Sequence, residues 1–151
     1  MIPKLFGVKT TLFVVVALLA SVSMKAQKVA NYSTGKYGSA AYEHFSFWVE
    51  KGKPSEITYN AGKYGEDKPV KYLGKSTYQG KRSFKIQLPD NRVLQVMPLG
   101  KNLKIVGTAK NYNKLFAWAY EGPVNGMGTF CEACAEDEQE AMKLLNSAYL
   151  K

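Results

Sequence analysis

The sequence predicts a mainly β (α+β) protein, an antiparallel meander of about seven short strands curled into a sheet or small barrel, with one C-terminal helix packed on it. Three observations lead there. Apolar and polar residues alternate over short runs between Tyr42 and Tyr120, the period of half-buried strands. The dipeptide Gly-Lys occurs six times, at 35, 52, 62, 74, 80 and 100, each a turn signal in which glycine supplies backbone freedom and lysine an exposed charge. From Thr129 onward the pattern becomes an acidic amphipathic helix, with Ala141, Leu144, Leu145 and Ala148 as its apolar stripe.

The first firm strand is Tyr42–Glu50. It sets Phe45, Phe47 and Val49 on one face and His44, Ser46, Trp48 and Glu50 on the other. Lys51-Gly52-Lys53-Pro54 ends it, and short strands follow at Glu56–Asn60, Val70–Leu73 and Thr77–Tyr78, with turns at 61–65, Gly74-Lys75 and Gly80-Lys81. Arg82–Leu88 places Phe84, Ile86 and Leu88 on one face. Pro89-Asp90-Asn91 then turns the chain, because proline fixes φ while Asp and Asn bond their own backbone, so Val93–Met97 returns as an antiparallel partner. Leu103–Ala109 and Leu115–Tyr120 form a second pair across Asn111-Tyr112-Asn113. Both faces of Leu115–Tyr120 are apolar, which predicts a strand covered on both sides, one of them by the helix. The helix itself is expected over about 129–149, with Thr129 and Glu132 as a capping box.

Residues 1–26 have the three parts of a secretory signal peptide: Lys4 and Lys9, an apolar run Leu12–Ala20, and small or polar residues ending at Ala26. The run is about half the length a membrane span needs. The expectation is export to the periplasm or the extracellular space, with no stable membrane anchor after cleavage. Residues 27–41, rich in Gly, Ser and Ala, read as a mobile lead-in, and 42–151 as a single β domain. Residues 27–120 carry 16 basic and 6 acidic side chains, whereas 121–151 carry 2 and 6. An acidic helix lying across part of a solvated lysine-rich surface accounts for this. The alternative, which the composition favours less, is a face meant for an anionic partner, a lipid head group or an acidic glycan, and export argues against nucleic acid.

Candidate chemistry is sparse. Cys131 and Cys134 have the spacing of a redox pair, and a capped helix starting at Thr129 would put Cys131 where the helix dipole favours a thiolate. The chain lacks the βαβ setting of thiol oxidoreductases, and Glu132, Glu136, Asp137 and Glu138 oppose thiolate formation. A small structural disulfide is the expected role in an exported protein. Gly126 and Gly128, just before Thr129, could converge backbone N–H groups on an anion or simply allow a tight connection. Trp48 and Trp118 complete the candidate binding residues. Tyr37, Tyr64 and Tyr72 each follow a lysine and suit sugar stacking or an interface rim, although composition favours ordinary strand surface for them, and Tyr37 and Tyr64 lie in two copies of GKYG, at 35–38 and 62–65. His44, the sole histidine, sits mid-strand without an evident catalytic partner, and two cysteines plus one distant histidine fall short of a closed zinc site. No catalytic residue, metal or cofactor is therefore expected. The function expected is a non-catalytic exported binding domain for a small apolar or anionic molecule or a protein partner, the alternative being a thiol–disulfide redox protein acting through Cys131 and Cys134.

Overall fold

The computed structural model describes residues 27–109, 111–120 and 131–151. The signal segment 1–26 and the candidate loop residues Gly126, Gly128 and Thr129 lie outside them. The elements are β1 (Lys28–Thr34), β2 (Glu43–Glu50), β3 (Lys53–Ala61), β4 (Lys68–Tyr78), β5 (Lys81–Gln87), β6 (Val93–Leu99), β7 (Asn102–Gly107), β8 (Asn113–Ala119) and α1 (Glu138–Ala148). Each strand pairs antiparallel with the next, and β8 pairs with β1 through Asn31↔Ala119, Tyr32↔Trp118 and Ser33↔Ala117, so the sheet is a closed eight-stranded barrel. Eight strands enclose a space that side chains can just fill.

Two-residue hairpins make one end of the barrel. Lys51-Gly52 and Gln79-Gly80 both have positive φ at each position, the twist-matched turn that two-residue hairpins favour. Helix α1 lies at this end. Its first-turn acids reach the barrel through exposed ion pairs, Glu140 with Lys28 at 3.9 Å and Glu138 with Lys101 at 3.3 Å. Each contributes at most about 1 kcal/mol. Ala141, Leu145, Tyr149 and Leu150 are buried with the barrel core. The opposite end carries the longer connections: 35–42, 62–67, 88–92 and 108–112.

Inward residues fill the middle. Tyr32, Phe45, Phe47, Phe84, Ile86, Val96, Leu103, Ile105 and Phe116 are all fully buried. The rings of Phe45 and Phe116 meet edge-on at 5.3 Å, and those of Phe47 and Phe84 at 5.7 Å. The interior is a packed core rather than a hollow calyx.

Several expectations are corrected. Lys28–Thr34 lies within the stretch expected to be a mobile lead-in, yet it is β1, the strand that closes the barrel. Its inward residues are Ala30 and Tyr32 and its outward Asn31 is buried in a polar network, so the hydrophobic alternation is faint. Val70–Leu73 and Thr77–Tyr78 belong to one strand, β4. The expected turn at Gly74-Lys75 is instead a bulge at Leu73-Gly74 within the strand, where the register shifts between Tyr72 and Gly74 and Gly74 has φ of 109°. The strand Leu115–Tyr120 is covered on one face only, because outward Leu115 is 49% exposed. Helix α1 starts nine residues later than Thr129. Its N-cap is Asp137, whose carboxylate accepts from the Glu140 amide at 2.7 Å, while the Glu140 carboxylate accepts from the Glu136 amide at 2.8 Å. The same acids that looked like a charged helix face are thus the capping apparatus.

Candidate functional site

At the loop end of the barrel, Glu43 follows the inward parity of Phe45 and Phe47, and its carboxylate is buried. Tyr59 donates to one carboxylate oxygen at 2.6 Å and Tyr112 to the same oxygen at 2.8 Å, while the Lys114 ammonium bonds the other. Burial pushes the Glu43 carboxyl up, but the bonds from Lys114, Tyr59 and Tyr112 and the charge of Lys114 outweigh it and hold the group below the usual carboxylate range. The Lys114 ammonium stands 5.0 Å from the centre of the Tyr112 ring, and the Arg92 guanidinium 5.7 Å. Arg92 is in turn bonded to Asp90 at 2.8 Å. Every charge here already has a partner, so the cluster ties β2, β3 and β8 together at the mouth and leaves no free acid or base. Sequence reasoning missed it, although the parity of the β2 strand carries Glu43 onto the Phe45 face and so signals a carboxylate in need of partners.

On the outward side of β1 and β2 lies a second buried polar group. The His44 Nε2 is 3.0 Å from the Ser46 hydroxyl and 3.3 Å from Asn31 Oδ1, and Ser46 donates to that same oxygen at 2.7 Å. Asn31 Nδ2 donates to the Tyr120 carbonyl at 3.2 Å and contacts Cys134 Sγ at 3.6 Å. His44 is 1% exposed. Burial lowers its pKa to about 4, against an opposing push from Asp67, so the imidazole is neutral near pH 7. A base with that pKa, sealed from solvent, is poorly matched to proton transfer at neutral pH.

Cys131 and Cys134 are at disulfide distance, 1.97 Å between sulfurs, with their Cα atoms 5.3 Å apart. Neither sits in a helix, so the dipole that would activate Cys131 in a first turn does not act on it. Instead the segment lies beside β1. The Val29 amide donates to the Ala133 carbonyl and the Ala135 amide to the Val29 carbonyl, both at 2.9 Å, two residues before Asn31, which pairs with Ala119 of β8. Cys134 is 3% exposed. The geometry is that of a staple on a strand edge.

The two tryptophans do not share a site. Trp48 falls on the outward parity of β2, while Trp118 follows Phe116 on the inward parity of β8 and packs against the core. Tyr72 is also turned inward, its hydroxyl donating to the Tyr149 carbonyl at 3.0 Å. Tyr37 and Tyr64 do meet, and both are exposed. Among the described residues no three His, Cys, Asp or Glu side chains come together as a set able to hold a metal ion, and no helix is long and apolar enough to cross a membrane.

The charge lies mostly on one half of the barrel. Between Lys68 and Tyr120 the chain has 11 basic residues and a single acid, Asp90. Because Tyr72, Phe84, Ile86, Leu103 and Ile105 point inward, Lys71, Lys85 and Lys104 point outward from β4, β5 and β7. Lys75, Lys81 and Arg82 are exposed on the β4–β5 ribbon. Among the described residues none of these five lysines has a carboxylate partner. Comparison of the chain with models of known protein families, with curated proteins and with solved structures gives no match.

Proposed function

We propose that this chain is a non-catalytic binding module, exported by its N-terminal segment, that engages an anionic ligand with the outer wall formed by β4 to β7. One observation supports this above the others. Lys71, Lys85 and Lys104 project from β4, β5 and β7 of a wall that holds a single acid, and that acid is already bonded to Arg92. Unpaired like charges held on a rigid sheet raise the local concentration of anions and speed encounter with them. A core occupied by Phe45, Phe47, Phe84 and Phe116 directs this reading to the outside of the barrel, away from a ligand held within. The buried, partnered states of Glu43 and His44 favour binding over catalysis.

The test is retention on an anionic matrix compared with an uncharged one of the same polymer, over a salt series. The proposal expects retention on the anionic matrix that weakens steadily as salt rises through roughly 0.05–0.5 M, because the Debye length shrinks from over 10 Å to a few ångströms. Equal retention on both matrices, or none on either, contradicts it.

A further inference from the structure

The two GKYG segments, 27 positions apart in sequence, meet in space at the loop end of the barrel. The rings of Tyr37 and Tyr64 lie 5.8 Å apart at 74°, and Tyr37 meets the buried ring of Tyr42 at 5.4 Å and 82°. The result is an aromatic corner, anchored from below by Tyr42. Tyr37 is 42% exposed and Tyr64 67%, so both show ring surface to solvent.

Hydrogen bonds tie this corner to the strands below it. The Gly62 amide donates to the Tyr42 carbonyl at 2.8 Å, joining the two loops, and Asn60 donates to the Gly65 carbonyl at 2.7 Å. Gly38, at φ of 83°, faces the Tyr64 ring, where an added Cβ would be in ordinary contact, 3.4 Å from the Tyr64 hydroxyl. Tyr64 itself has φ of 56°, a left-handed conformation that a bulky side chain adopts only at some energetic cost. An exposed aromatic ring in a strained, cross-linked loop contributes little to the core, since most of its surface stays in water. The strain is accounted for if the ring's orientation serves a ligand.

We propose that the paired GKYG loops form a sugar-stacking site that takes one or two pyranose rings of a glycan. This rests on the binding-module reading and names the ligand class: the lysine wall attracts the glycan's anionic groups, and the tyrosines hold its rings. The C–H face of a pyranose lies on the electron-rich face of one tyrosine while the second ring borders its edge. The surroundings fit a sugar better than a protein. Lys36, Ser39, Lys63 and Glu66 flank the two tyrosines in sequence, and two tyrosines amid polar loops provide far less apolar area than a specific protein interface of about 1,200 Å² or more requires. The β3–β4 connection that bears Tyr64 continues directly into Lys68 and Lys71 of the basic wall.

The experiment uses the full chain after leader removal, with tyrosine-ring NMR signals and calorimetric titration. The probes are an oligogalacturonate, neutral cellohexaose, and vesicles of phosphatidylglycerol. The proposal expects oligogalacturonate to shift the Tyr37 and Tyr64 signals, Tyr64→Ala and Tyr37→Ala each to weaken its binding tenfold or more, and Tyr64→Phe to stay within twofold. Binding that is lost in Lys71→Glu/Lys85→Glu yet unchanged in folded Tyr64→Ala overturns the sugar site and leaves the anionic reading standing. Binding to vesicles that is indifferent to both tyrosine variants, with no oligosaccharide bound, also overturns it, in favour of a lipid surface. Cellohexaose shifting the two tyrosines while neither anionic probe binds supports the sugar site and refutes the anionic reading. No shift with either oligosaccharide overturns the sugar site.

Discussion

Tyr149 donates its phenolic hydroxyl to the carbonyl oxygen of Trp48 at 2.5 Å, across 101 residues of sequence. The bond carries the end of α1 into the hairpin end of the barrel, where the Tyr149 ring stands 5.2 Å from Phe84, 5.3 Å from Tyr72 and 5.7 Å from Phe47. Tyr72 closes the arrangement by donating to the Tyr149 carbonyl. The helix is therefore held by one deeply inserted ring as well as by its apolar stripe.

Replacing that ring should be among the most disruptive single changes in the chain. Tyr149→Ala removes a fully buried aromatic and is expected to cost about 3–5 kcal/mol, a large share of a small domain's stability. Tyr149→Phe keeps the packing, loses the hydroxyl bond and is expected to cost about 1 kcal/mol. Urea unfolding measures both. Equal midpoints for Tyr149→Ala and the parent would show that the ring is not the anchor.

The buried imidazole of His44 makes stability depend on pH. Its pKa falls from 6.5 to about 4 on folding, so the unfolded chain binds a proton over that interval and the folded chain does not. The contribution is fully present above about pH 6.5 and declines as the pH drops toward 4, by about 3 kcal/mol in all. Glu43, held below its usual range, acts in a lower window: its contribution is present above the unfolded value of 4.5 and lost as pH falls through the folded pKa. His44→Gln can keep bonds to Asn31 and Ser46, and should flatten the stability profile between pH 6.5 and 4. An unchanged slope in that variant would assign the dependence elsewhere.

The Cys131–Cys134 link should act as a modest staple. It closes a ring of only a few residues, for which the chain-entropy estimate is about 2 kcal/mol, and the two backbone bonds to Val29 do not depend on it. A Cys131→Ser/Cys134→Ser variant is expected to fold, with its melting temperature lowered by roughly 5–10 °C. Reductant should produce the same shift in the parent and none in the variant. Disulfide reductase activity in the parent, absent from the variant, would instead support a redox role.

How much of this was legible in the sequence differs from element to element. The β5–β6 and β7–β8 hairpins were readable because Phe84, Ile86 and Leu88 alternate cleanly and Pro89-Asp90-Asn91 is unambiguous turn chemistry. Strand β1 was not, since its outward residue Asn31 is buried against Ser46 and His44, and burial of a polar residue leaves no hydrophobic period to detect. The helix start was misplaced because Thr129/Glu132 and Asp137/Glu140 both satisfy the spacing of a capping box in sequence, whereas the segment 131–135 lies along β1 through the bridge from Cys134 to Val29 and the helix is capped by Asp137. Of the candidate binding residues, Trp48 and Trp118 were separated by strand parity. The meeting of Tyr37 with Tyr64 depends on a barrel register that no local pattern specifies.

The central claim, that an outward lysine wall on β4 to β7 binds an anionic ligand, is tested most directly by charge reversal. Lys71→Glu/Lys85→Glu changes two outward side chains that have no carboxylate partner among the described residues, so the variant should unfold within about 1 kcal/mol of the parent. The measurement is the affinity of parent and variant for one oligogalacturonate at low salt. The account predicts at least a tenfold loss in the variant, with a parental salt dependence steeper than the variant's. Equal affinity and equal salt dependence in two equally stable proteins would contradict it.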